Sequence, residues 1–258
     1  MLNLKKEANQ IEVGELKITT CPICSKYVSH LYFMQDADSK RQSKWYSCSC
    51  GIIFQDKLPT GIYDKKYWGK FDQFEKKLKV SYEYPVRIYS PIIEELLYGR
   101  RVLILGRTTN HQEQAFAERG WIPLTIDKNT AFPSSESLIV DDFESHEFDP
   151  AHKFNMIWIY ATLECFKNPI ASLIKCHELL TEDGILFIAS PDTDSVNTRG
   201  SSGFIHWKPE HNHIMWNKRS ITHHLETLGF NIILCRSNYE HRFPVWDDFH
   251  LIAQRRFF

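Results

Sequence analysis

Four cysteines before residue 51 have the types and spacing for metal chemistry. They read CPIC at 21–24 and CSCG at 48–51. Zn²⁺ takes four soft ligands in a tetrahedron, and two short knuckles that each present a pair of thiolates deliver them. The intervening SKYVSHLYFMQDADSKRQSKWYS suits a β-hairpin, with apolar LYFM, a polar tip, then WYS. Gly51 follows the last cysteine, where a tight turn calls for positive φ. The second knuckle, Cys48-x-Cys50, is one residue shorter than the common C-x2-C, which makes His30 a replacement ligand to consider. Four unmetallated thiols in a small β-unit are the alternative reading. Four protein ligands leave no open coordination position, so Cys21, Cys24, Cys48 and Cys50 would serve folding rather than catalysis.

A second set of residues falls at the ends of predicted strands. In VLILGRTTN, residues 102–110, an apolar strand ends at Gly106 as it would before a nucleotide-binding loop, but Thr108 and Asn110 stand where glycines belong. Asp127 closes WIPLTID, Asp141 and Asp142 follow SLIV, and Tyr160 closes FNMIWIY with Glu164 shortly after. An acid at the tip of the second strand, some twenty residues beyond the loop, is placed to accept both hydroxyls of a ribose. Taken singly, such an Asp is equally a helix cap or a loop residue. The third cluster is FIHWKPEHNHIMW at 204–216, which offers His206, His211 and His213 as bases and Trp207 and Trp216 as flanks for a ring. Its alternative is a histidine-rich packing loop. The HNH string lacks the ββα-metal context of a nuclease.

The elements that must position these groups alternate. Strands are expected in RVLILG, WIPLTID, SLIV, FNMIWIY, ILFIAS, NIILCRS and DFHLIAQRR, with helices in NHQEQAFAERG, NPIASLIKCHELLTEDG and SITHHLETLGF. That order means a Rossmann-like, seven-stranded, mostly parallel α/β sheet with helices on both faces, and ligands beyond the carboxyl ends of its strands. Before it, EKKLKVSYEYPVRIYSPIIEELLYG has helical spacing interrupted by Pro85 and Pro91, which predicts a kinked or split helix closed by Gly99. The expected divisions are a zinc-ribbon-like unit at 1–70, a helical linker or lid at 71–99 and the α/β domain at 100–258.

The chain has 258 residues, enough for one such domain and a small appendage. Its formal net charge is −1, so the whole molecule is no evident polyanion binder. Residues 1–80 carry 14 Lys/Arg against 9 Asp/Glu, a mild basic bias that keeps an RNA-gripping ribbon as a weaker alternative. No apolar run reaches the roughly 18 residues a membrane span needs. The charged MLNLKKEANQ start reads as no secretory signal, so the expected location is cytoplasmic. Disulfides are not expected there, and Cys165, Cys176 and Cys235 read as buried thiols.

Taken together, "CPIC…CSCGIIFQ", "YDKKYW", "VLILG", "PLTID", "DDFES", "FNMIWIYATLEC", "LIKCHELLTEDGILFIASPD" and "SITHHLETLGF" resemble the class I S-adenosylmethionine-dependent methyltransferases. The closer resemblance is to a bacterial branch with an N-terminal zinc ribbon that often acts on sugars or related small molecules. The resemblance implies that Gly106, Arg107, Thr108 and Asn110 meet the methionine portion of the cofactor, Asp127 the ribose, Asp142 the adenine amine, and that Tyr160 lines the wall beside the methionyl group. It implies a small-molecule partner rather than nucleic acid or membrane. The sequence departs from the family at Ile104, where an acid is expected, at Thr108 and Asn110, and at Cys165, where a histidine often follows the glutamate. A binding or regulatory relative with an altered pocket, and an RNA methyltransferase, are the competing readings.

Overall fold

The computed structural model describes residues 19–28, 31–35, 42–55, 57–58, 75–106, 110–128, 136–195, 206, 208–237 and 248–256. β1 (Thr19–Thr20) pairs antiparallel with β2 (Tyr27–Val28), so the first cysteine knuckle turns between them. β3 (Leu31–Gln35) and β4 (Gln42–Ser47) form the expected hairpin, with Leu31 opposite Tyr46. β5 (Ile53–Phe54) follows the second knuckle and pairs with β4. Gly51, at φ +96°, makes the left-handed turn anticipated for it.

Of the expected kinked or split helix, the split form is absent: α1 (Glu75–Glu94) is one helix with Pro85 and Pro91 inside it. A proline in a helix interior costs about 3 kcal/mol. Tyr82, Val86, Tyr89 and Ile93 are buried along one face, and full burial of such side chains is worth about 1.5–3 kcal/mol each. Packing therefore overrides the local penalty. Nor does Gly99 cap this helix. A Cβ there would lie 2.2 Å from Asn155 Oδ1, and that oxygen accepts the Arg101 N–H at 3.1 Å. Gly99 makes room for the side chain that guides the chain into the sheet.

The main sheet contains β6 (Arg101–Leu105), β7 (Ile122–Ile126), β8 (Leu138–Ile139), β9 (Phe154–Tyr160), β10 (Leu180–Pro191), β12 (Phe230–Ser237) and β13 (Asp248–Arg255). The two-residue β11 (Ile214–Met215) belongs elsewhere. The order across the sheet is β12-β13-β10-β9-β6-β7-β8, and only β13 runs against its neighbours. α2 (His111–Ala117), α3 (Pro169–Leu179) and α4 (Lys218–Thr227) join the strands. The seven expected strands and the mostly parallel arrangement are all present.

Alternation along the strands sorts the two faces, as the pleat requires. Val102, Ile104, Met156, Trp158, Ile185 and Phe187 face α1 and α2. Leu103, Leu105, Ile157, Ile159, Leu186 and Ile188 share the other core with α3, α4 and the cysteine unit, including Cys21, Tyr46, Cys48 and Phe54. α3 begins under Asn168, whose Oδ1 accepts the Ala171 N–H at 3.2 Å, with Pro169 in its first turn. It stops at Leu179 rather than near Gly184. Leu180 is already extended and pairs with Phe154. A Cβ on Gly184 would sit 2.9 Å from Leu180 Cβ and from the Thr181 carbonyl oxygen, so the irregular start of β10 closes over that glycine.

From β6 the chain steps outward through β7 and β8, then returns to β9 on the other side of β6. The order reverses there, and open α/β sheets bind ligands beyond the carboxyl ends of their strands at such a switch point. One pairing has no precedent in the sequence reading. β11 joins β5, Ile214 opposite Phe54 and Met215 opposite Ile53, so the insert after β10 completes the small sheet of the cysteine unit.

Candidate active site at the carboxyl edge of the sheet

Two unusual backbone positions mark this switch point. Gly106, directly after β6, has φ +82°, and Ala161, directly after β9, has φ +50°. A non-glycine residue in the left-handed region costs energy that the surroundings must supply. Here the Ala161 N–H donates to the Ala189 carbonyl at 2.8 Å and the Gly106 N–H to the Ile126 carbonyl at 3.0 Å. A Cβ on Gly106 would fall 2.3 Å from Thr162 Oγ1, and that hydroxyl donates to the Tyr160 carbonyl at 3.0 Å. The two loops therefore close on each other over a glycine that admits no substitution without movement. Arg107 and Thr108 lie outside the described residues. Asn110 is the residue before α2, exposed, at φ −77° and ψ 0°. The left-handed tolerance that would make asparagine a soft replacement for glycine is not used. Ile104, at the position where the resemblance calls for an acid, is buried in the face toward α1.

The acids at the neighbouring tips are laced together. The Asp127 N–H donates to the Ile139 carbonyl at 3.1 Å, and the Asp141 N–H to the Asp127 carbonyl at 3.2 Å. Asp127 is half-buried. Asp142 is held in its own turn: one carboxylate oxygen accepts the Glu144 N–H at 3.1 Å and the other lies 3.5 Å from Lys128 Nζ. Asp141 accepts from His146 Nδ1 at 2.8 Å, and that imidazole holds its carboxyl below the usual range. Tyr160 is buried, with Tyr82 of α1 edge-on at 5.3 Å. Burial, reinforced by Asp248, pushes its phenol well above the ordinary value.

The edge beyond β9 and β10 is richer in buried polar groups than the sequence indicated. Glu164 lies in the short 3-10 turn Leu163–Cys165, only 3% exposed. Its Oε2 accepts the Ser190 hydroxyl at 3.0 Å, and burial raises its carboxyl to about 7. Asp192, just past β10, is buried, accepts the Ser237 hydroxyl at 3.0 Å, and has its carboxyl raised chiefly by burial. Lys218 Nζ donates to that same Ser237 hydroxyl. Because β13 runs opposite to the other strands, its first residue, Asp248, also lies at this edge, opposite Pro191. Strand direction was the missing signal: DFHLIAQRR announces a strand, not which end meets the site.

The histidine insert is a joint. Asn212 Nδ2 donates to the His206 carbonyl at 2.8 Å, and the His213 N–H donates to the Glu164 carbonyl at 2.7 Å. From the cysteine unit, Gln55 Nε2 donates to the Asn212 carbonyl at 2.6 Å and to the Pro209 carbonyl at 3.0 Å, while the Gln55 N–H meets the His213 carbonyl at 3.1 Å. His206 and His213 are buried and His211 is half-buried. Burial lowers the imidazolium of His213. For His206 burial, with repulsion from Lys208, brings it to about 3, and Asp248 Oδ1 lies 3.6 Å from its Nε2. Both rings are neutral at pH 7. Trp216 cannot flank a ligand ring. It is fully buried in the core and packs edge-on against His224 at 5.9 Å. Trp207 lies outside the described residues.

The four cysteines converge. Their sulfurs all lie within 4.8 Å of one another, with Cys21 to Cys50 at 3.8 Å and Cys24 to Cys48 at 3.4 Å. A tetrahedron with Zn–S of about 2.3 Å has an S···S edge near 3.8 Å, so this donor set fits zinc. Sharing with Cys50 lowers the Cys21 thiol to about 5 and raises its partner. His30, the alternative ligand, lies outside the described residues.

Glu164 gives a pH signature. Its folded value, about 7, exceeds the unfolded value near 4.3, so the folded state holds the extra proton between them. Stability from this group is complete below about pH 4 and is lost as pH rises through 7. Glu164→Gln is expected to be about 1–3 kcal/mol more stable than wild type at pH 8, and no more stable at pH 4.5. Urea unfolding at the two pH values checks this.

The sequence pattern of a family described as a methyltransferase domain matches residues 82–234. No curated protein sequence matches the chain. Among solved structures, a SAM-dependent methyltransferase of Methanosarcina mazei has 17% identity and a TM-score of 0.52, covering 65% of this chain and 98% of its own. A SAM-dependent methyltransferase of Archaeoglobus fulgidus has 15% identity and a TM-score of 0.54, covering 72% and 99%. The 1,6-didemethyltoxoflavin-N1-methyltransferase of Burkholderia thailandensis, solved with 1,6-didemethyltoxoflavin and S-adenosylhomocysteine, has 10% identity and a TM-score of 0.56, covering 88% and 100%. At these identities the likeness is one of fold. No helix among the described residues is long and apolar enough to cross a membrane.

Proposed function

We propose, from the premise that this chain belongs to the methyltransferase-domain family and is a SAM-dependent methyltransferase, that its acceptor is a small hydroxyl-bearing molecule of the sugar or nucleotide-sugar kind. S-adenosylmethionine, when bound, supplies a methyl group on a positively charged sulfur. The chain's part is to hold the reactants in line and to manage one proton. Asp127 accepts the ribose hydroxyls and Asp142 the adenine amine. Gly106, Arg107, Thr108 and Asn110 are assigned to the amino-acid end, with the charge of the Arg107 guanidinium matched to the carboxylate. Tyr160 walls that end from β9. The half-buried carboxylate of Asp127, at the tip next to the positive-φ turn of Gly106, fits this assignment.

The observation that carries the acceptor class is the buried polar row at the ends of β9, β10 and β13: Glu164, Ser190, Asp192, His206 and Asp248. Polar groups so enclosed match a ligand that returns hydrogen bonds, and penalise an apolar one. The toxoflavin enzyme, a neighbour in fold, also acts on a small molecule. The four cysteines hold a structural zinc that builds the unit on which the insert docks, and His206, His211 and His213 supply the candidate bases from that insert. Label from methyl-tritiated S-adenosylmethionine should appear in one member of a panel of nucleoside diphosphate sugars and not in total RNA. Label in RNA alone would replace this reading with the ribbon as an RNA grip.

A further inference from the structure

We propose that the outward face of α1 is a self-association surface, on which a second copy of this chain packs antiparallel across a twofold axis near Pro91. The inner face of the helix is packed: Tyr82, Val86, Tyr89 and Ile93 are buried against the sheet, and Tyr82 meets Tyr160 edge-on at 5.3 Å. The opposite face is apolar as well. Ile88 is 38% exposed, Ile92 47% and Leu96 38%, with Pro91 exposed and Tyr84 half-buried beside them. The Leu96 N–H donates to the Ile93 carbonyl at 3.0 Å, so the coil carries on as far as that residue. A surface helix ordinarily turns charged and polar side chains outward, and an exposed apolar patch of about 300–600 Å² on a monomer is often an interaction site.

Spacing and charge together select a copy of the same helix. Tyr84, Ile88, Ile92 and Leu96 follow one another at intervals of four residues. On a helix that spacing makes a single ridge, and two such ridges interdigitate at about −50° in the commonest class of helix packing. The neighbouring row, at the same interval, is Arg87, Pro91 and Glu95. It is positive at one end and negative at the other. Turned about a twofold axis at Pro91, it sets Arg87 of each copy opposite Glu95 of the other, so one symmetry operation makes both opposite-charge contacts. A parallel copy would bring like charges together. Arg87 is 57% exposed, with Glu83 at 3.0 Å and Glu118 at 3.5 Å. Glu95 is exposed and has no ion-pair partner among the described residues; the second copy supplies its cation.

The contact is small. The stretch from Tyr84 to Leu96 offers on the order of 600 Å² per copy, the lower end for a specific interface, which buries about 1,200–2,000 Å² in total. An interface of this size and mixed character belongs at the micromolar end of association. A twofold pair also closes on itself and leaves no copy of the surface open to carry the assembly further. Val80 is apolar and 64% exposed, but it stands about three turns from Ile92, where two helices crossing at that angle have already parted. It therefore lies outside the contact and separates a specific interface from general apolar exposure.

The test is sedimentation velocity of the full chain over about 1–200 µM, where wild type should dimerise with a dissociation constant of about 1–100 µM. Ile92→Asp should weaken association at least tenfold while melting within about 3 °C of wild type, because the site is already half exposed. Val80→Asp should leave association within twofold. Arg87→Glu and Glu95→Arg should each weaken it about fivefold or more, and the double variant, which restores opposite charges across the axis, should return to within twofold of wild type. A wild type that stays monomeric at about 200 µM overturns the proposal. So does a dimer indifferent to Ile92→Asp, one disrupted equally by Val80→Asp, or a double reversal that fails to recover. A monomeric wild type that co-sediments with anionic phospholipid vesicles and not with neutral ones would overturn it in favour of a lipid surface.

Discussion

A Cys21→Ser, Cys48→Ser double variant is expected to contain no zinc and to melt about 10–20 °C below wild type. Wild type should carry one zinc per chain by elemental analysis. The reasoning starts from the sulfur geometry, which fits one tetrahedral ion. Loss of a structural metal belongs to the few changes that cost more than 4–5 kcal/mol, and in a domain of this size each kcal/mol moves the midpoint by about 2–4 °C. The damage should not stay local. Cys21, Cys48, Ile52 and Phe54 are in the same core as Trp216, Ile221 and Leu225, and a Cβ on Gly51 would lie only 3.1 Å from Asn217 Oδ1. β5 pairs with β11, and Gln55 holds the insert by three hydrogen bonds. Hydrogen exchange in the double variant should therefore accelerate at residues 208–217 as well as at 19–55. A metal-free wild type with the same midpoint would show that the thiols suffice.

Asp127→Ala is expected to weaken S-adenosylhomocysteine binding by about 10–100-fold, the loss of charge-assisted hydrogen bonds worth roughly 1.5–3 kcal/mol. Its midpoint should stay near that of wild type, because the main-chain hydrogen bonds of Asp127 that join β7 and β8 at this tip survive the substitution. Asp142→Ala should lose less affinity and more stability, since its carboxylate already accepts the Glu144 N–H. Calorimetry and thermal melts separate the two. Equal losses in both would mean the acids act as turn residues and not as contacts to adenosine.

The strands were legible because burial on both faces leaves uninterrupted apolar runs. FNMIWIY and ILFIAS are central strands, and both sit deep in the sheet. The placement of Asp127, Asp141 and Asp142 at the carboxyl edge was legible because topology fixes the order in which strand tips reach that edge. What escaped has a common physical cause, long-range packing that local pattern does not encode. Pro85 and Pro91 read as breaks until the buried side of α1 is seen to hold the helix together. Trp216 reads as a binding surface until it is found inside a core shared with the cysteine unit. Gly99 reads as a helix cap until Asn155 is found beside it. Asp248 was invisible because one antiparallel strand brings its beginning, not its end, to the edge where chemistry happens.

The two ends of the proposed adenosylmethionine site thus have different foundations. Asp127 and Asp142 stand on adjoining strand tips, whereas Ile104 is buried and Asn110 has a negative φ. Titration of the wild-type chain with S-adenosylhomocysteine by isothermal calorimetry addresses this division most directly. The account predicts one site per chain with a dissociation constant in the micromolar range, and a clear loss of affinity in Asp127→Ala. No heat and no thermal stabilisation at millimolar ligand would contradict it, leaving a methyltransferase fold whose crevice no longer takes its cofactor.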